Sequence, residues 1–189
     1  MIEAHLSLLL VVIPLLAAPV TAILPNGRLP WLLTLLVSWL CFAIAIWQFV
    51  LVMDGNVISY ELGGWAPPWG IEYRIDIVNA FVALIVAGMA AITLPYAMLS
   101  VEQEIPKDKL SLFYATFLLC MDGLLGITLT GDIFNLFVFL EISSLSTYAL
   151  ISMGRQRRAL TAAYQYLIMG TIGATFLLIG IGLIYAETG

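Results

Sequence analysis

Two acidic residues stand inside segments that are otherwise apolar or uncharged. Glu141 lies within "IFNLFVFLEISSLSTYALI" (133–151) and Asp122 within "LSLFYATFLLCMDGLLGITLT" (110–130). An acidic side chain in hydrocarbon costs on the order of 2.5–3.5 kcal/mol on insertion scales, so each must face protein or water. Desolvation raises a carboxyl's pKa and a nearby cation lowers it. A carboxyl held between those pulls loads and releases a proton near neutral pH, which is the chemistry of a relay.

Ser144 and Tyr148 follow Glu141 by about one and two helical turns, on roughly the same face. Ser143, Ser146 and Thr147 add hydroxyls that bond to neighbouring helices or hold water. A plainer reading stands beside the relay: a protonated Glu141 that joins helices through hydrogen bonds. Asp122 carries the same two readings. In the plain one, Gly123 and Gly126 open the helix so that water or a serine satisfies the aspartate. Counted inward from the turn at Gly131, Asp122 is about eight residues deep and Glu141 about nine, or roughly 13 Å at about 1.5 Å per residue. The two acids are thus expected at similar depth on adjacent helices, where close carboxyls would titrate as a coupled pair. Whether they face each other is left open by the sequence. Asp132, behind Gly131, reads as the N-cap of the fifth helix, with Asn135 one turn in doing related structural work.

The elements that must position these groups follow from composition. Of 189 residues, 62% are hydrophobic and 10% charged, and the mean hydropathy is +1.07. A soluble domain carries about 25% charged residues. So much apolar surface does not fit inside one small core, and lipid must be its solvent. A helix needs about 20 apolar residues to cross a core about 30 Å thick. On that rule the chain reads as an all-α integral membrane protein with six transmembrane helices, at roughly 5–24, 31–53, 76–99, 110–130, 132–153 and 160–185. Pro14, Pro19 and Pro95 fall inside spans, where neighbouring helices satisfy the freed carbonyls and kinks are expected. The sixth segment carries Gly170, Gly173, Ala174, Gly180 and Gly182, small residues that read as packing positions.

Arg28, Lys107, Lys109, Arg155, Arg157 and Arg158 lie in the first, third and fifth loops, and of the 7 cationic residues only Arg74 lies elsewhere. The positive-inside rule puts those loops in the cytoplasm and both ends of the chain outside. The second loop then faces outward with Asp54, Glu61, Glu72, Trp65, Trp69 and the pair Pro67–Pro68. It reads either as an interfacial, proline-stiffened cap or as an acidic mouth that concentrates cations.

Other functions are excluded by what the sequence lacks. There is no basic stripe for nucleic acid, no phosphate-binding glycine loop, no nucleophile–base–acid set and no Cys/His cluster for a metal. No cofactor and no catalytic residue is expected, and any redox step would belong to another subunit. His5 stands alone, and Cys41 and Cys120 fall in apolar runs, where free cysteine behaves as a small hydrophobe. "MIEAH" lacks the basic start of a cleavable signal, so the first segment reads as a retained helix.

The segments "TGDIFNLFVFLEISSLSTYALI" and "RRALTAAYQYLIMGTIGATFLLIGIGLIYAETG" resemble the antiporter-like subunits of Mrp-type sodium/proton antiporters. The proton-pumping membrane subunits of respiratory complex I and of membrane-bound hydrogenases share that family. "GGWAPPWGIEYRIDIVNAF" looks most like the Mrp D subunit, with the N-type subunit of complex I close behind. The resemblance implies a fold of about fourteen helices with outward termini and two inverted repeats, of which this chain resembles the N-terminal part. It divides the chain into a three-helix region, 1–109, and the start of the first repeat, 110–189. It implies a subunit of a monovalent cation (sodium)/proton antiporter in the inner (cytoplasmic) membrane. The alternatives are a proton-pumping subunit of an NADH:quinone oxidoreductase or hydrogenase-type complex, or a non-conducting structural piece. Glu141 matches the family's translocating glutamate, which works with a lysine on a seventh helix. No such lysine lies within these residues, so the resemblance implies partner membrane subunits, or further chain, that supply it.

Overall fold

The computed structural model describes residues 2–65 and 70–188. Six long helices run α1 (Ile2–Ile23), α2 (Arg28–Val52), α3 (Ile77–Glu104), α4 (Leu110–Leu129), α5 (Ile133–Ser152) and α6 (Arg157–Thr188). All six are long and apolar enough to cross a membrane. They fall where the apolar runs place them; α3 runs on to Glu104, beyond the hydrocarbon-length segment expected.

α4 is the centre of the bundle and packs against α1, α2, α3 and α5; α1 also meets α2, α2 meets α3, and α6 meets α5. Leu10, Cys41, Ala45, Ala83, Ala87, Leu118, Leu125 and Leu129 are fully enclosed between these helices. The buried stripe on α3 is mainly small, Ala80, Ala83, Ala87, Gly88, Ala90 and Ala91. Small residues let backbones approach, which is the main packing device when lipid offers no hydrophobic contrast. Gly88 shows it: a Cβ there would lie 3.1 Å from the Phe42 ring of α2.

The loop between α2 and α3 holds an element that the loop reading did not anticipate. Strands β1 (Ile58–Glu61) and β2 (Glu72–Ile75) pair antiparallel, with Tyr60 opposite Tyr73. β2 is tied to the bundle, since the Gly131 amide donates to the Glu72 carbonyl at 2.8 Å and Tyr73 bridges to Thr130. Asp76 caps α3, accepting from the amides of Val78 and Asn79 at 2.8 and 2.9 Å. Burial, and then the charge of Asp122, push the Tyr73 phenol up to about 12. Glu72 accepts from the Ser59 hydroxyl at 2.6 Å, while Asp54, Glu61 and Trp65 are exposed. Trp69 and Pro67–Pro68 lie outside the described residues.

At the opposite end the cationic loops are joined. The Arg155 amide donates to Glu104 O at 3.1 Å and its guanidinium to Ile105 O at 3.1 Å. Asn26 donates to Asp108 O at 3.1 Å and accepts from the Ser111 amide at 3.0 Å. The first, third and fifth loops therefore meet at one end, as alternating spans require.

Candidate functional site

α5 begins where Asp132 caps it: its carboxylate accepts from the amides of Phe134 and Asn135 at 2.6 and 3.2 Å. The Asn135 side chain donates to Thr130 Oγ1 at 3.1 Å. This staples the turn after α4, and it fixes the rotation of everything downstream on α5.

One face of α5 is committed to α4. Thr147 Oγ1 lies 3.3 Å from Cys120 Sγ. A Cβ on Gly123 would sit 2.6 Å from the Ser143 amide nitrogen and 2.8 Å from the Phe139 carbonyl oxygen, and one on Gly126 would strike the Phe139 ring. The two glycines thus serve close helix approach rather than access of a serine to Asp122. On this face the serine hydroxyls are spent on their own helix, Ser143 on Leu140 O at 2.9 Å and Ser146 on Ile142 O at 2.7 Å.

Glu141 points elsewhere. At about 100° per residue it lies roughly 160–200° around α5 from Phe139 and Ser143. It is partly exposed and makes no hydrogen bond or ion pair among the described residues. Ser144 and Tyr148 share its side of the helix. Tyr148 is 8% exposed; its ring meets Tyr166 of α6 edge-on at 5.0 Å and its hydroxyl fills the space beside Gly170. Of the five small residues read as packing positions on α6, Gly170 has this neighbour, whereas Gly173, Gly180 and Gly182 face open space.

Asp122 is in a different compartment. It is 0% exposed, and neither carboxyl oxygen has a hydrogen-bond partner. Its helix neighbour Met121 accepts from Ser38 of α2 at 3.6 Å, and both Cys41 of α2 and Tyr73 of β2 lie within electrostatic reach of Asp122. The aspartate therefore turns toward α1 and α2, about 100° around α4 from the mean direction of the α5 contacts. The two acids sit at similar depth yet do not face each other. Depth along a helix follows from counting residues, whereas azimuth depends on which face the neighbours take.

Between α1 and α2 lies a buried polar pair that sequence reading passed over. Gln48 of α2 and Ser7 of α1 are both 0% exposed, with Gln48 Nε2 donating to Ser7 Oγ at 3.1 Å. The signal was present, an amide inside the apolar run "AIAIWQFVLV". A charge attracts attention in such a run and an amide does not, although an unpaired buried amide costs about 1–3 kcal/mol on its own.

The NADH:quinone oxidoreductase/Mrp antiporter, TM family matches residues 130–189, which include α5 and α6. NADH-quinone oxidoreductase subunit N of Desulforudis audaxviator is 42% identical over 189 residues, 98% of this chain and 37% of that relative. The putative antiporter subunit mnhD2 of Staphylococcus haemolyticus is 28% identical over 190 residues, 99% of this chain and 37% of its own length. A chain of the membrane-bound sulfane sulfur reductase, an archaeal respiratory membrane complex, superposes with a TM-score of 0.88 at 36% identity, covering 97% of this chain and 37% of that one. A chain of the Mrp complex from Dietzia sp. DQ12-45-1b does so with 0.88 at 27% identity, covering 100% and 35%. This chain spans 37% of the length of the curated relatives named. With six apolar spans, a buried carboxyl on α4 and a second carboxyl midway along α5, it is a multi-pass membrane protein, similar over its whole length to part of the antiporter-like membrane subunits and matching their family over residues 130–189.

Proposed function

We propose that the chain takes part in moving protons across the membrane within a multi-subunit sodium/proton antiporter, with Glu141 as the proton-loading group. The observation that carries this is the placement of Glu141. It lies about 12 Å along α5 from Ile133, has no partner among the described residues, and is on a face that α4 leaves free. A carboxyl at membrane depth that is neither capped nor paired is held for a mobile charge rather than for packing. Ser144 and Tyr148, on the same side, are positioned to support water or a hydroxyl chain beside it. Asp122 is a second proton-holding group, enclosed on the other side of α4.

A redox-driven pump is the second reading, favoured by the 42% identity to a quinone oxidoreductase subunit against 28% to an antiporter subunit. In either case other membrane subunits, or further chain, supply a lysine as the cationic counterpart of Glu141. Both ends of this chain face outward from the inner membrane, because the loops with six of the cations gather at one end. Residues 1–109 act as a supporting three-helix region and 110–189 as the start of the conducting repeat.

Proton flux in inverted native membrane vesicles tests the proposal. Sodium is expected to collapse an imposed proton gradient in wild type and not in Glu141→Gln. A response to NADH but not to sodium, lost in the same variant, supports the pump instead. Unchanged flux in the variant under both conditions overturns the role of Glu141.

A further inference from the structure

Where the cationic loops meet, the ends of α3 and α5 and the starts of α4 and α6 enclose an open cavity of about 680 Å³. Its lining has two parts of different chemistry. Gln103, Glu104, Arg155, Gln156 and Arg158 come from the loop side, and Phe113, Leu150, Ile151, Ala159 and Ala162 form an apolar wall. Phe113 lies three residues into α4 and Ala162 five residues into α6. At about 1.5 Å per residue the wall reaches roughly 5–8 Å along the helices from the loops.

The two guanidinium groups are short of acceptors. Arg155 Nη2 donates to the carbonyls of Ile105 and Glu102 at 3.1 and 3.4 Å, while its Nε and Nη1 have no partner among the described residues. The exposed Arg158 side chain makes no hydrogen bond or ion pair among those residues. Glu104 lines the same cavity yet pairs with neither arginine; its carbonyl, not its carboxylate, receives the Arg155 amide. The wider surroundings stay positive, since the three loops carry six cations against the acids Glu102, Glu104 and Asp108.

Unpaired arginines above an apolar wall at the end of membrane helices match a ligand with an anionic head and an apolar body. A guanidinium presents a fork of donors that fits phosphate oxygens. The first turn of α6, which lines the cavity at Arg158 and Ala159, adds the positive end of a helix dipole. Basic pockets between membrane helices hold phospholipid headgroups on this physical basis. Size and wall together separate a lipid from a free anion. Cavities of about 300–1,000 Å³ take ligands of drug size, far larger than one inorganic phosphate, and a soluble ion gains nothing from Phe113, Leu150 and Ile151.

We propose that this cavity binds one anionic phospholipid, with its phosphodiester held by Arg155 and Arg158 and its glycerol and upper acyl carbons against Phe113, Leu150 and Ile151. A headgroup bearing hydroxyls, such as phosphatidylglycerol, also offers donors to the Glu104 carboxylate. The site is independent of whether Glu141 conducts.

The native complex, reconstituted in phosphatidylcholine nanodiscs, provides the test. The discs contain a small share of phosphatidylglycerol with a photoreactive group on its upper acyl chain, and adducts are mapped by peptide mass spectrometry after illumination. Adducts are expected within residues 150–162, competed by unlabelled phosphatidylglycerol in the disc and not by inorganic phosphate in the buffer. Arg158→Gln is expected to reduce them severalfold. Ala162→Phe fills the apolar wall and leaves both arginines in place, so it is expected to reduce them to a similar degree. This second variant keeps the test open should the first disturb the loop. Equal labelling by a photoreactive phosphatidylcholine, displacement by inorganic phosphate, or adducts unchanged in both variants overturns the lipid site. Wild type without adducts in 150–162 also overturns it, the result expected if further chain or another subunit fills the cavity.

Discussion

The α1–α4 bundle and the α5–α6 pair are both built from helices apolar enough to cross a membrane, yet they are packed very differently. More than half of the most apolar stretch of α4 is buried, 56%, against 22% for α5 and 11% for α6. In the bundle, small residues and glycines are matched by neighbours; on α6, Gly173, Gly180 and Gly182 have none within 4 Å. The acids follow the same division, with Asp122 sealed among helices and Glu141 on an open side. Apolar composition takes a helix into the membrane but does not say which of its faces meets protein.

The comparison is broken most forcefully at Glu141. Glu141→Gln preserves size and removes the titrating proton, so transport is expected to be abolished while assembly persists, as read by vesicle flux and by the yield of intact complex. Normal flux would place the working acid in the bundle instead. Gly126→Leu comes next. Its side chain would collide with the Phe139 ring, and overpacking of this kind costs about 1–3 kcal/mol or more, expected as a lower thermal midpoint and reduced yield. An unchanged midpoint would mean that α5 is not seated on α4 as described.

Asp122→Asn is expected to reduce flux less than Glu141→Gln does. An equally complete loss would erase the functional distinction between the two compartments. The smallest stability effect is expected for Gly180→Leu, which meets nothing within 4 Å; the thermal midpoint of the chain should stay within about 0.5 kcal/mol equivalent of wild type. If that variant instead blocks assembly with other membrane subunits, the open face of α6 is where they dock. Orientation is checked by thiol labelling of cysteine placed at position 156, expected to be accessible from the cytoplasmic side alone.

Six spans, their order and alternation, the Asp132 cap and the depth of both acids were legible in the residues, because each depends on local length, hydropathy or hydrogen bonding within a turn. Six cations gathered in three loops likewise announced that those loops share an end. The hairpin at 58–75 was less visible. Its strands are short and lie in a loop rich in glycine and proline, and their pairing is stabilised from outside, by the Gly131 bond and the Thr130 bridge. The direction of each acid was not legible either. Gly123 and Gly126 read equally well as openings in α4 or as contact points, and the ring of Phe139 and the backbone of Ser143 decide between those readings. Residue count along a helix determines depth, while azimuth is selected by the packing of all neighbouring helices at once. For this protein the sequence alone placed two carboxyls midway along their helices; the tertiary structure decided that one is enclosed among packed helices and the other left partly exposed on the side of α5 that also carries Tyr148.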